Sequence, residues 1–349
     1  MSKITTIQVL RGVAATLVAG HHLQRASLAE GGDPGLFQVF DGGAIGVDIF
    51  FVISGFIIFY VSTLRPAQSG RDFIQARFWR IVPPYWAILT LYVLAATTLA
   101  YGLGQPDALP DLRSLIVSYL LLPYPDHVII IAWTLAIELL FYALFAATFF
   151  GRNGTHRLVL AMGAWILASQ VFLHAVDPKP LWLVLGLHSA VLEFLLGIWI
   201  AMLFLSAPDR VRQFRWPALI LGGTGVGVYL VTGGFVIGPF GREIAAGLPS
   251  ALLVCGALGF SLARHEVLET WGESSYILYL LHLLYFSIAG TVFTLVTGQS
   301  IYHSQLWMVA LLISVTVISY GLTVWVERPY QAWTSQRRKR NTLALDARG

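Results

Sequence analysis

Apolar positions along the chain gather into runs of about twenty residues, separated by short stretches rich in Arg, Gly and Pro. A run of that length is enough to cross a bilayer as a helix. Such runs fall near residues 4–23, 45–64, 81–101, 133–150, 158–176, 184–205, 217–235, 244–263, 276–297 and 306–326. Residues 112–123 are apolar but short, and Pro123 and Pro125 close them, so an interfacial or re-entrant helix is expected there. The longest connections, 24–44 and 102–132, are too small for a separate soluble domain. The pattern predicts an all-α, polytopic membrane protein of about ten transmembrane helices. Its membrane domain spans 1–334. Residues 335–349, with Arg337-Arg-Lys-Arg340, read as a disordered basic tail against anionic headgroups.

Composition sharpens this picture. The 349 residues are 57% hydrophobic and 11% charged, with a mean hydropathy of +0.72. Soluble domains carry about 25% charged residues. With the N-terminus inside, all of the 22 Lys and Arg except Arg25, Arg113, Lys179 and Arg242 fall on the inner side. Inner loops of membrane proteins carry such an excess, so both ends are expected in the cytoplasm. The same bias accounts for the net charge of +4, and no nucleic-acid partner is expected. Cys255 is the only cysteine, which excludes an intramolecular disulfide; it lies in an apolar run without a metal-ligand pattern and reads as a packing residue. No metal site is expected. Lys3 alone precedes the first apolar run, which Arg11 interrupts, so a cleaved signal peptide is not expected.

Ionisable residues inside a bilayer are expensive and usually face a cavity or a partner. Arg11 and His22 are eleven positions apart in the first run. Eleven helical steps return to within about 20° of the same face, displaced by roughly 16.5 Å. One stripe of one helix thus carries a fixed cation at one depth and an imidazole at another, which suits an anionic group gripped below and chemistry above. His21 stands about 80° off the Arg11 direction. The orientation puts His22, Asp48, Glu138, His188 and Glu193 toward the outside, and Arg11, Arg77, Arg80, His282 and Glu327 toward the inside. Any one of them is equally well read as a salt bridge or hydrogen bond that fixes packing. Two layers of opposite character are more than packing needs.

Arg77 and Arg80, three apart, share a helix side just before a Pro83-Pro84 break, and suit a phosphate group as well as they suit anchoring. Ser54 is a candidate nucleophile, but no base is forced beside it and small residues are usual at helix contacts. Tyr276, Tyr279 and His282 share a face, which packing alone would also explain.

Taken in order, six motifs resemble the acyltransferase 3 family of bacterial integral-membrane acyltransferases. They are Arg11 with ten residues to His22, Gly46-Val-Asp-x-Phe-Phe-Val-Ile-Ser-Gly-Phe56, and Arg77-x-x-Arg80-Ile-x-Pro83. They continue through Trp133-Thr-Leu-x-x-Glu138-x-x-Phe-Tyr142, Ser275-Tyr-x-x-Tyr-Leu-Leu-His282 and Glu327-Arg-Pro329. Each is weak alone, and six in order over residues 4–334 are specific. Ala76 stands where the family often has a further basic residue, and Thr134 where serine is frequent. The compact length is similar to the exopolysaccharide-modifying members.

The resemblance implies a multi-pass protein of the bacterial inner membrane. It implies transfer of an acyl group, acetyl first, from cytoplasmic acyl-coenzyme A to a carbohydrate hydroxyl at the outer side. The acceptor would be an exopolysaccharide, a lipid-linked oligosaccharide or another glycan. Acyl-coenzyme A is a donor substrate, and no tightly bound cofactor is expected. Arg77 and Arg80 would dock the nucleotide, and Arg11 would guide the arm. His282 would touch the arm or its phosphate, and His22 would act as general base with Asp48 or Glu138 orienting it. Direct transfer and an acyl-histidine intermediate both remain open. A flippase for lipid-linked sugars would also show many helices and a basic inner face, though no paired helix interruptions of the transporter kind occur. A structural subunit of an export complex would instead tolerate loss of His22.

Overall fold

The computed structural model of the protein describes residues 4–65, 69–102, 109–175, 186–235 and 241–346. Lys3, Lys179 and Arg348 lie outside these residues, as do 176 and 184–185 at the edges of two expected spans. The described residues form helices and connecting turns, without strands. In chain order the helices are α1 Thr5–Ala29, α2 Ile45–Thr63, α3 Gly70–Gly102, α4 Leu112–Tyr119, α5 Ala132–Phe149 and α6 Gly154–Ala175. Then come α7 Val191–Ser206, α8 Pro208–Gln213, α9 Arg215–Val231, α10 Leu248–Leu258, α11 Glu266–Thr297, α12 Gln305–Leu322 and α13 Arg328–Asp346. One-turn π segments, Glu243–Gly247 and Thr323–Glu327, lead into α10 and α13.

Five described stretches are long and apolar enough to cross a membrane: α2, α3, α5, α11 and the continuous Gln305–Arg338. They coincide with half of the ten expected spans. The helices at the other five are too polar, too short or cut by undescribed residues. In α1 the apolar run is diluted by Gln8, Arg11, His21, His22 and Gln24. α7 and Glu243–Leu258 are apolar but shorter. The basic segment read as a tail is helical as far as Asp346, continuing α13.

Two boundaries move with consequences for the interior. α11 begins ten residues before the expected span, at Glu266, which brings His282 to mid-helix. α3 begins at Gly70 and runs unbroken through Pro83 and Pro84, against the break expected there. Pro83 has no N–H for the Trp79 carbonyl one turn back. The Tyr330 hydroxyl from α13 donates to that carbonyl instead, at 3.1 Å. A neighbouring helix thus satisfies the carbonyl that Pro83 frees, which is one way membrane helices tolerate proline. Tyr276 of α11 donates to the Ile81 carbonyl at 2.7 Å, a bond additional to the helical ladder, since that carbonyl faces the N–H of Tyr85.

α1 lies between α2 and α11, and α2 packs along α7. Lipid tails are as apolar as leucine, so close packing rather than apolar burial holds such helices together. α2 and α7 approach through glycines on both sides. A Cβ at Gly55 would stand 2.1 Å from the Phe194 carbonyl oxygen, and one at Gly197 would stand 2.1 Å from that of Val52. Rings fill the space around this seam: Phe194 stacks on Phe141 at 4.2 Å between centroids and packs on Phe51 at 4.7 Å. The expected short helix is α4, capped by the Asp111 side chain accepting from the Ser114 N–H at 2.6 Å. It is pinned at its far end, where Tyr85 donates to the Ser118 carbonyl and Trp86 to that of Tyr119.

Candidate active site

Two cavities are stacked along α1, and Val47 and Tyr279 line both. The larger, about 210 Å³, takes Gln8 and Arg11 from α1, Ser54 from α2, Arg77 and Arg80 from α3, Thr134 and Glu138 from α5, and Tyr276 from α11. The smaller, about 110 Å³, takes Val18, His21 and His22 from α1, with Ile131, Trp133 and Arg242 facing them. The eleven-residue spacing thus does what helix geometry requires. Arg11 opens on one cavity and His22 on the next, one above the other on the same helix.

Three arginines and one carboxylate line the larger cavity, leaving it net positive and suited to an anion. Arg11 donates from Nη1 to Gln8 Oε1 at 3.2 Å. The Arg77 guanidinium lies 5.3 Å from the centre of the Phe73 ring and 5.7 Å from that of Tyr142. Aromatic faces attract a cation without using its N–H groups, and Arg77 Nε is buried with no hydrogen-bond partner among the described residues. Ser54 donates to Glu138 Oε1 at 3.0 Å, and Tyr142 donates to the same oxygen. Ser54 therefore does have a carboxylate beside it.

Two of the depths read from the sequence, and one partner, need correction. Glu138 belongs with the arginines, not with His22. α5 starts beside the histidine cavity, where Ile131 and Trp133 sit, and the roughly 9 Å of rise to Glu138 carries it past Val47 and Tyr279. Asp48 does not orient His22 either. It is 2% exposed and turned aside to Arg242, accepting from Nε at 3.0 Å and from Nη2 at 2.6 Å. His282 is not in the arginine layer: its ring centre lies 5.1 Å from that of His22. The early start of α11 is the cause.

These shifts give His22 a different neighbour. His282 is fully buried, and its Nδ1 donates to the Leu278 carbonyl at 3.0 Å. A neutral imidazole so held keeps Nε2 as an acceptor, and that atom has no partner among the described residues. His21 also reaches the histidine cavity, because the cavity wraps further around α1 than one stripe. Its Nδ1 donates to the Phe40 carbonyl at 3.1 Å, which commits one side of the ring. Between the cavities the Tyr279 hydroxyl is 2.7 Å from Thr134 Oγ1, itself bonded to the Ile131 carbonyl. Thr134 thus uses its hydroxyl to fix the shared wall.

Arg242 is the residue that sequence reasoning missed. The charge pattern puts it in an outer connection, whereas it leads into the π turn at Glu243 and reaches the His22 cavity. A signal was present. Asp48 in an apolar run demands a cation, and Arg242 opens one of the apolar stretches.

An apolar helical bundle with an internal pair of polar cavities, one cationic and one imidazole-lined, has the form of a membrane enzyme. A family model described as an acyltransferase domain, the acyltransferase 3 model, matches residues 4–324. The chain is 32% identical over 306 residues to the exopolysaccharide production protein ExoZ of Rhizobium meliloti (strain 1021), covering 82% of this chain and 89% of that protein. It is 26% identical over 374 residues to the acyltransferase MdmB of Streptomyces mycarofaciens, covering 96% and 94%. No solved structure matches. The chain belongs to the acyltransferase 3 family, and it is an acyltransferase.

Proposed function

We propose that the protein is an O-acyltransferase that takes an acetyl group from cytoplasmic acetyl-coenzyme A and delivers it to a hydroxyl of an exported carbohydrate. The observation that carries this reading is the stacking of the two cavities along α1, with a shared wall at Val47 and Tyr279. A polyanionic donor fits the cavity of Arg11, Arg77 and Arg80, and the rise from Arg11 to His22, roughly 16.5 Å, is comparable to an extended pantetheine arm. The name of the Rhizobium relative supports a polysaccharide acceptor. The excess of basic residues on the side of Arg77 and Arg80 supports a bacterial inner-membrane orientation with that mouth in the cytoplasm.

In this reading Arg77 and Arg80 bind the phosphates of the donor, and Arg11 holds its arm. His22 removes the proton of the acceptor hydroxyl as that oxygen attacks the thioester carbonyl. His282 packs its ring against His22 and keeps Nε2 free, so that it accepts from the His22 imidazolium once the proton has been taken up. Glu138, with Ser54 and Tyr142, balances part of the arginine charge. The test is release of coenzyme A thiol from acetyl-coenzyme A by purified protein, with and without a polysaccharide acceptor. Acceptor-dependent release that His22→Ala abolishes supports the reading. A protein that moves lipid-linked sugar between leaflets and leaves acetyl-coenzyme A intact refutes it.

A further inference from the structure

We propose that Arg242 is a catalytic residue of the histidine cavity, where its free guanidinium edge binds the thioester carbonyl oxygen as that oxygen becomes negative. This rests on the acyl-transfer reading above. A guanidinium carries five N–H donors in a fixed plane. In Arg242, Nε and one N–H of Nη2 hold Asp48, and the other N–H of Nη2 donates to the Ala44 carbonyl at 2.8 Å. Nη1 makes no hydrogen bond among the described residues, so two donors remain. They are left on a side chain that is 34% exposed and lines the cavity of His22, whereas its partner Asp48 is shut away.

An ion pair that only fixed packing would gain nothing from an edge open to a cavity. Here three contacts set the plane of the guanidinium before any ligand enters, which is what an oxyanion donor requires. The rest of the lining includes the apolar Val18, Val47 and Ile131, low-dielectric walls beside which a charge acts more strongly than in water.

The acceptor oxygen attacks the carbonyl carbon while its proton passes to His22, and the new carbon–oxygen bond pushes the π pair onto the carbonyl oxygen, against Arg242. When the carbonyl re-forms, the carbon–sulfur bond breaks and sulfur leaves with its electron pair. The sulfur takes the proton from His22, giving ester and coenzyme A thiol, while Arg242 remains a cation throughout.

Arg242→Lys keeps a charge for Asp48 but cannot hold both Asp48 and a second edge toward the cavity. Its kcat should fall about 10²–10³-fold, with the apparent KM for acetyl-coenzyme A within about threefold of wild type. Asp48→Asn with Arg242→Met removes both charges of the pair and leaves the buried Glu193 a neutral hydrogen-bond partner at position 48. That double variant should keep the wild-type melting temperature in detergent and lose kcat to the same degree. Wild-type kcat in either variant overturns the proposal, as does a loss confined to KM. His22→Ala, run alongside, reports on the acyl-transfer reading separately: it is inactive if that reading holds, whatever Arg242 does.

Discussion

His22 makes no side-chain hydrogen bond among the described residues, and its ring neighbours are the imidazoles of His21 and His282. A base with its proton-accepting atoms free is poised for a substrate rather than for packing. His22→Ala should therefore lower kcat by about 10²–10⁴-fold, measured by thiol release at saturating donor. Activity near wild type would remove it from the mechanism. His282→Phe retains a packed ring and loses the free Nε2 that would accept from the His22 imidazolium; a hydrogen bond formed only to that charged state predicts about a ten- to hundredfold fall in kcat without it. His21→Ala should be much milder, because the Phe40 carbonyl already takes one side of that ring. At the other cavity, Arg77→Ala and Arg80→Ala should raise the apparent KM for the donor more than they lower kcat. If kcat falls and KM holds, the phosphate role is wrong for both.

At the scale of helices, the glycine seam between α2 and α7 determines where Ser54 and Asp48 stand. Adding a methyl at Gly55 sets it 2.1 Å from a backbone oxygen, which cannot rotate away. The two helices would have to separate, losing packing contacts that lipid does not replace in kind. Gly55→Ala should lower the melting temperature in detergent, by several degrees or more, as overpacking of about 1–3 kcal/mol predicts. Gly223→Ala on α9, where a Cβ meets nothing within 4 Å, is the matched control and should leave melting unchanged or slightly raised. Equal behaviour of the two variants would mean that the seam is not close-packed. The same scale explains α3: Tyr330 reaches the carbonyl that Pro83 frees and Tyr276 bonds the Ile81 carbonyl, so those tyrosines couple α13 and α11 to the arginine mouth.

For the molecule as a whole, the proposed orientation makes a directional prediction. With Arg77 and Arg80 facing the cytoplasm, acetyl-coenzyme A added to inside-out vesicles should acetylate a polysaccharide trapped in the lumen. Added to right-side-out vesicles it should do nothing, since a polyanion does not cross a bilayer unaided. Cysteine reporters at Ser69 and Gln299, both exposed, in a Cys255→Ser background would report the orientation without reference to activity. Ser69 should label only from the cytoplasm and Gln299 only from outside. Labelling of both from one face would overturn the orientation and the route of the acetyl group together.

The sequence by itself determined the helical, apolar character of the chain and the family. It also determined that Arg11 and His22 stand at two depths on one stripe. Those properties follow from run length and from the fixed rise and turn of a single helix, which need no neighbour to define them. The identities of the arginines in the larger cavity were legible for the same reason, since Arg11, Arg77 and Arg80 sit at the same ends of their helices. What the sequence left undecided is which side chain meets which. Asp48 and Glu138 looked equivalent as partners for His22, and neither is one. Asp48 turns to Arg242, 194 positions away in the chain, and Glu138 descends to the arginines. His282 stands elsewhere than expected because a helix end among polar residues leaves no mark in an apolar run: the ten polar-leaning residues from Glu266 extend α11 without lengthening that run. Pairing across helices depends on where each helix starts and how the bundle rotates it, and only the packed tertiary structure sets those two quantities.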